Sequence, residues 1–182
     1  MITTNNPDYD REFRLLRQHA MSVPDTVRHS ARTVIFEEYV TTGFNYRMTD
    51  VQAAIGIEQL KRLPDFLKQR KKIAALYRYG LEGISWLSTP QEPSSCRGNW
   101  QSYPVRVLDH APKSRDGLMQ HLLDAEISTR RGIMNAHQEP AYTSTFPLTQ
   151  SVQARDSVVL LPLYSSMKEE EVQLVIRRIK NA

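Results

Sequence analysis

The chain has 182 residues, 40% of them hydrophobic and 24% charged, with a formal net charge of +4. That length supports one domain, or a small domain plus part of another, and no run approaches the roughly 20 apolar residues that cross a bilayer. The single cysteine, Cys96, excludes an internal disulfide framework and a cysteine-built zinc site.

The first residues, Met1-Ile2-Thr3-Thr4, are β-prone and predict a short strand, ended by the turn-forming run Asn5-Asn6-Pro7-Asp8. They have neither the basic region nor the apolar core of a secretory signal, which with the lone cysteine gives a reducing cytoplasm as the expected location. A helix is predicted next, because Phe13, Leu16 and Ala20 recur at spacings of three and four. Residues 21 to 48 show no long period, although Thr33-Val34-Ile35-Phe36 reads as a short strand. Irregular stretches of this length in compact domains are often functional.

Thr49 and Gln52 have capping-box spacing, in which hydroxyl and amide each serve the other residue's backbone. The helix they start, Val51 to Leu60, is apolar nearly all round, which predicts burial on more than one side. Ala53, Ala54 and Gly56 would let another backbone approach closely, as at a subunit or domain interface.

Pro64 suits the first turn of a second helix, expected to run to about Glu82 with Phe66, Ile73, Tyr77 and Leu81 on one stripe. At 1.5 Å per residue it would span roughly 27 Å, a strut between domains. Gly80 and Gly83 are its stop signals. The densest basic run, Lys68-Gln69-Arg70-Lys71-Lys72, lies on this helix opposite the apolar stripe. It reads as a solvated face, and no recognition motif argues for nucleic acid as a partner.

The remainder reads as an α+β unit. Ser88 to Asn99 is turn-rich; Tyr103, Val105 and Val107 alternate as a strand. Ser114 is the expected N-cap of a helix with Leu118, Leu122 and Ala125 inward. Glu126 to Thr129 is expected as a further strand, and Val158 to Leu161 as a buried one stopped by Pro162. Ser166 and Glu169 have the spacing of a second capping box, opening a helix packed through Val172, Ile176 and Ile179.

Three ordered blocks carry a family resemblance. Gly43-Phe44-Asn45-Tyr46-Arg47-Met48-Thr49-Asp50-Val51-Gln52-Ala53-Ala54-Ile55-Gly56 resembles the signature block of the DegT/DnrJ/StrS aminotransferases, pyridoxal 5'-phosphate (PLP) enzymes that aminate keto-sugar nucleotides. Arg130 to Tyr142 is similar to a segment of that family's small domain, and Leu160-Leu161-Pro162-Leu163-Tyr164 with the following helix start is similar to its C-terminal end. Met1 to Asn5 also resembles the strand just past the family's cofactor lysine.

The resemblance implies an α/β chain with an α+β small domain, the C-terminal part of a fold-type-I (aspartate-aminotransferase-like) transferase. Residues 1–63 would be a remnant of the large PLP-binding domain including the signature block, 64–83 a linking helix, and 84–182 the small domain. It further implies that the cofactor lysine and most cofactor contacts precede residue 1. Lys61, Lys68, Lys71, Lys72, Lys113, Lys168 and Lys180 all fall where the helix or loop reading turns them to solvent, unlike a nucleophilic lysine, which needs desolvation or a cationic neighbour. The isolated chain is therefore expected to be inactive, its partner being a chain that carries the missing half or a second copy of itself.

By the resemblance, Asn45 and Arg47 reach the phosphate of PLP bound to a neighbouring subunit, chemistry that suits an amide donor and a guanidinium fork. Read without it, Asn45 is a turn residue and Arg47 a surface charge. His137 and Tyr142 match a segment near the nucleotide-sugar substrate, the other reading of His137 being a histidine packed in an irregular loop. Arg131 is a candidate for a substrate phosphate, or a solvated residue after a strand. No catalytic residue is assigned, and His19, His29, His110 and His121 lack metal-ligand spacing with acidic residues. Two other functions stand beside the transaminase: a non-catalytic fragment that dimerises or binds a homologous aminotransferase, and a sugar dehydratase relative from the branch that replaces the lysine.

Overall fold

The computed structural model describes residues 2–142 and 146–182, which form two compact units, Met1–Leu60 and Lys61–Ala182.

In the first unit, helix α1 (Pro7–Leu16) begins where Asn6 accepts hydrogen bonds from the backbone N–H of Asp8 at 2.8 Å and Tyr9 at 3.4 Å. Pro7 opens it without losing a bond, and Asp8 and Asp10 complement the helix dipole in the first turn. Ala20 is buried as expected, yet it lies beyond the helix: His19 and Ala20 take left-handed backbone angles, φ 63° and 56°. Residues 2–4 form no strand; they are exposed, and no partner strand among the described residues offers them a ladder, while Met1 lies outside the described residues. Residues 33–36 form none either, with Val34 and Phe36 more than four-fifths exposed. The segment read as irregular instead holds a short helix, α2 (Asp25–Ser30), after Pro24.

Helix α3 (Asp50–Lys61) starts with the predicted capping box. Gln52 N–H donates to Thr49 Oγ1 at 3.3 Å, and Thr49 N–H donates to Gln52 Oε1 at 3.0 Å. The expected burial of this helix does not occur within the chain. Val51, Ile55, Ile57 and Leu60 are all more than half exposed, and Ala20 and Met21 are the buried apolar residues of the unit among those described.

The second unit has a continuous core. Helix α4 (Leu63–Gly80) buries Ile73, Ala74 and Tyr77, followed by Leu81. Phe66 stays half-exposed at the helix start, with the Arg62 guanidinium 4.9 Å above its ring. Strands β1 (Leu87–Ser88) and β2 (Tyr103–Val107) follow, the latter burying Tyr103, Val105 and Val107 in the predicted alternation. Ser114 caps α5 (Arg115–Leu123) through the Gly117 N–H, and Leu118 and Leu122 are fully buried.

The strand expected at 126–129 lies further on, as β3 (Arg130–Arg131). Glu126 turns in the left-handed region at φ 61°, Ile127 drops into the core, and pairing starts only when Arg130 and Arg131 come opposite Leu160 and Val159. A 3-10 turn (Ala136–Gln138) and helix α6 (Thr149–Ser157) lead to β4 (Val158–Leu161). The sheet order is β1-β2-β4-β3, antiparallel throughout.

The last helix, α7 (Glu169–Lys180), buries Val172, Val175, Ile176 and Ile179. Its capping contact sits two residues later than predicted: Lys168 N–H donates to the Glu171 carboxylate at 2.6 Å, and Tyr164 donates to the same carboxylate at 2.9 Å. The Lys168 N–H first, then the Tyr164 hydroxyl, hold Glu171 below the usual carboxylate range. Across the core, the Tyr77 hydroxyl donates to the Pro162 carbonyl at 2.8 Å, tying α4 to the end of β4.

Candidate functional site

The signature segment is strapped to the turn after α1 by its own backbone. Phe44 N–H donates to Leu16 O at 2.7 Å, Tyr46 N–H to Arg17 O at 2.9 Å, and His19 N–H to Phe44 O at 2.9 Å. Gln18 and Asn45 form an isolated antiparallel bridge. Gly43 makes this approach possible, because a Cβ there would overlap the backbone of His19 and Ala20. The left-handed angles at His19 and Ala20 are thus held in place by the strap that presents Asn45 and Arg47.

Asn45 and Arg47 are brought together. Asn45 Oδ1 accepts from Arg47 Nε at 3.2 Å and lies 3.4 Å from the Arg47 N–H, an Asx turn that aims the guanidinium. Arg47 Nη1 donates to Asp25 on α2. Arg28 also reaches Asp25, at 3.2 Å, and donates to Glu37 at 2.7 Å. Two arginines and two carboxylates alternate here, so the cluster is locally neutral. Asp25, Arg28 and Glu37 were not singled out by sequence reasoning. The usable signal was Pro24-Asp25, a helix start with an acid in the first turn.

The fit to a phosphate follows from what is left over. With Asn45 Oδ1 committed to Arg47, the Asn45 amide Nδ2 and the Arg47 Nη2 donate to no acceptor among the described residues. These are hydrogen-bond donors at a part-exposed edge, the set a phosphate's oxygens take. Asp25 is the competing anion.

The remaining candidates lie in the second unit. Arg131 is exposed on β3, and Tyr142 is 63% exposed after the 3-10 turn. His137 sits in that turn with its Nε2 buried and without a partner among the described residues. Its neighbour Gln138 accepts from Asn135 at 2.9 Å and Arg155 at 3.0 Å. None of the lysines is buried; Lys113 alone is half-buried, and Lys72 pairs with Glu169 at 3.4 Å. Among the described residues no group of three or more His, Cys, Asp or Glu could hold a metal ion, and no helix is long and apolar enough to cross a membrane.

The chain is 30% identical over 188 aligned residues to the spore coat polysaccharide biosynthesis protein SpsC of Bacillus subtilis, covering 100% of this chain and 48% of SpsC. It is equally 30% identical to an uncharacterized protein, MJ1066, of Methanocaldococcus jannaschii, covering 99% of this chain and 48% of that protein. The chain thus spans about half the length of the curated relatives it matches. Among solved structures it superimposes on the aminotransferase TlmJ of Streptoalloteichus hindustanus with a TM-score of 0.84 at 26% identity, covering 97% of this chain and 45% of TlmJ. Its mixed α/β architecture is that of part of a fold-type-I PLP aminotransferase. A profile of the DegT/DnrJ/EryC1/StrS aminotransferases matches residues 1–180, so the chain belongs to the DegT/DnrJ/EryC1/StrS aminotransferase family.

Proposed function

We propose that this chain is the C-terminal portion of a PLP-dependent transaminase acting on keto-sugar nucleotides, in the making of amino sugars for surface polysaccharides. One observation carries this most directly: the Asx turn at Asn45 aims the Arg47 guanidinium and leaves Asn45 Nδ2 and Arg47 Nη2 without an acceptor among the described residues. In this reading Asn45 and Arg47 bind the phosphate of the PLP held by a neighbouring subunit, displacing or sharing the Asp25 contact. His137 and Tyr142 face the sugar substrate, and Arg131 supplies charge to its phosphates. PLP, when bound, provides the electron sink for moving an amino group. This chain's residues contribute binding and orientation, and the proton-moving lysine is assigned outside its seven.

The exposure of those lysines supports the last point, since a lysine that bonds the cofactor is activated by desolvation or a neighbouring cation. The test is to add PLP to the chain, reduce with borohydride and map the peptides. Diffuse, substoichiometric labelling across several lysines is expected. One lysine labelled at one equivalent would overturn the assignment.

A second reading is favoured by α3. A helix with Val51, Ile55, Ile57 and Leu60 all exposed needs a cover, which suits a non-catalytic fragment that dimerises or docks on a homologous aminotransferase.

A further inference from the structure

We infer that Arg155, acting through Gln138 together with Asn135, is a positioning residue for His137; this deepens the reading of His137 as a substrate contact and rests on it. The 3-10 turn that carries His137 is three residues long. Its own bonds are few: Gln138 N–H to Asn135 O at 3.0 Å and Glu139 N–H to Ala136 O at 3.0 Å. A segment so short has little stability of its own, so its orientation is set by what it is tied to.

The tie is the Gln138 side chain. Its Oε1 accepts twice, from Asn135 Nδ2 at 2.9 Å within the turn and from Arg155 Nη1 at 3.0 Å on α6. Arg155 is itself held, because Arg115 Nη1 at the start of α5 donates to the Arg155 carbonyl at 3.2 Å. The ion pair of Arg155 with Asp156 is longer, at 3.7 Å, so Gln138 is the better-placed partner. The Arg115 and Arg155 side chains are 16% and 26% exposed, so the bond between them is part-sheltered from water, while the bonds to Gln138 lie at the surface.

The consequence falls on His137. Its Nε2 is withdrawn from water without a hydrogen-bond partner among the described residues, a placement that costs free energy and persists only where the surroundings enforce it. The route from Arg115 through Arg155 and Gln138 is an enforcing element that reaches this turn from two helices. It thereby fixes the direction in which the half-buried imidazole of His137 faces, which is the positioning role.

The test uses the full chain and the His137 imidazole signals in carbon–proton NMR, with UDP-N-acetylglucosamine as the probe. Arg155→Ala and Gln138→Ala are expected to shift and broaden those signals with the melting temperature of the chain preserved, and Arg155→Lys to restore them in part. In the wild-type chain the probe should move the His137 signals, with affinity falling about tenfold or more in Arg155→Ala. Gln138 is exposed and outside the core, so its variant keeps the test open should Arg155→Ala unfold. Unchanged imidazole signals in both variants would overturn the positioning role, even with the probe still moving His137. If the variants disturb the imidazole but the probe never does, the positioning role stands and the substrate reading of His137 fails.

Discussion

Arg47 on the signature strap donates to Asp25 on α2, across 22 residues of sequence, and this pairing holds the guanidinium that the family resemblance assigns to a cofactor phosphate. The same carboxylate takes Arg28 at 3.2 Å, so Asp25 lies between two cations. A phosphate arriving at Arg47 meets a site whose charge is already balanced and must compete with Asp25.

Asp25→Asn removes the competing charge while keeping the side-chain shape. Phosphate affinity should rise severalfold, in line with the roughly 1 kcal/mol worth of a part-exposed ion pair, and fold stability should fall by no more than about that amount. Calorimetric titration with pyridoxamine phosphate reads the first, and a urea melt the second. Weaker binding would mean that Asp25 organises Arg47 more than it competes with the ligand.

Gly43→Ala tests the strap. Its methyl group would press on the backbone of His19 and Ala20, so the segment must move away, at a cost of about 1–3 kcal/mol. The amides of Phe44 and Tyr46, bonded to Leu16 and Arg17, should exchange with solvent faster, and Arg47 should lose its fixed orientation. Hydrogen exchange at those two amides is the measurement.

Two core tyrosines should respond differently to the same substitution. Tyr77→Phe deletes the donor to the Pro162 carbonyl and should cost about 0.5–1.5 kcal/mol. The Tyr103 hydroxyl is buried with no partner among the described residues, so Tyr103→Phe should be neutral or stabilising by up to about 1 kcal/mol. Burial pushes the Tyr103 phenol up to about 12, the Arg78 charge opposing it. Burial likewise raises Tyr77, with Tyr164, Tyr103 and Glu171 adding to the shift.

Both folded values exceed the unfolded value, so the Tyr103 contribution is complete below pH about 10 and is lost as pH climbs toward about 12, and that of Tyr77 persists to higher pH. In that window the unfolded chain binds fewer protons than the fold, and stability therefore falls. Tyr103→Phe should flatten the alkaline loss, as measured by urea midpoints across that range.

The second unit was legible in the sequence wherever one strong pattern decided the outcome. Alternation placed Tyr103, Val105 and Val107 inward, and helical spacing placed Leu118, Leu122, Val172, Ile176 and Ile179. The first unit was less legible because its apolar residues have little within the chain to pack on: Val34 and Phe36 carry strand propensity yet find no ladder. Spacing alone could not locate β3, since the left-handed turn at Glu126 shifts the pairing to Arg130 and Arg131. At the candidate site, motif matching found Asn45 and Arg47. It could not find Asp25, Arg28 and Glu37, whose roles exist only once α2 folds against the strap.

The bare face of α3 predicts association. At high concentration the chain should sediment as a dimer or larger species, and Ile55→Glu with Leu60→Glu should shift it toward monomer. A wild-type chain that stays monomeric throughout would leave the docking reading without support.

The phosphate assignment is tested most directly by phosphorus NMR of pyridoxamine phosphate titrated with the chain, which avoids the aldehyde chemistry of free lysines. A saturable shift of the phosphate signal is expected with the wild-type chain, weakened by about tenfold or more in Arg47→Ala and to a smaller degree in Asn45→Ala, as loss of a charge-assisted hydrogen bond implies. Identical titrations for wild type and both variants would contradict the account.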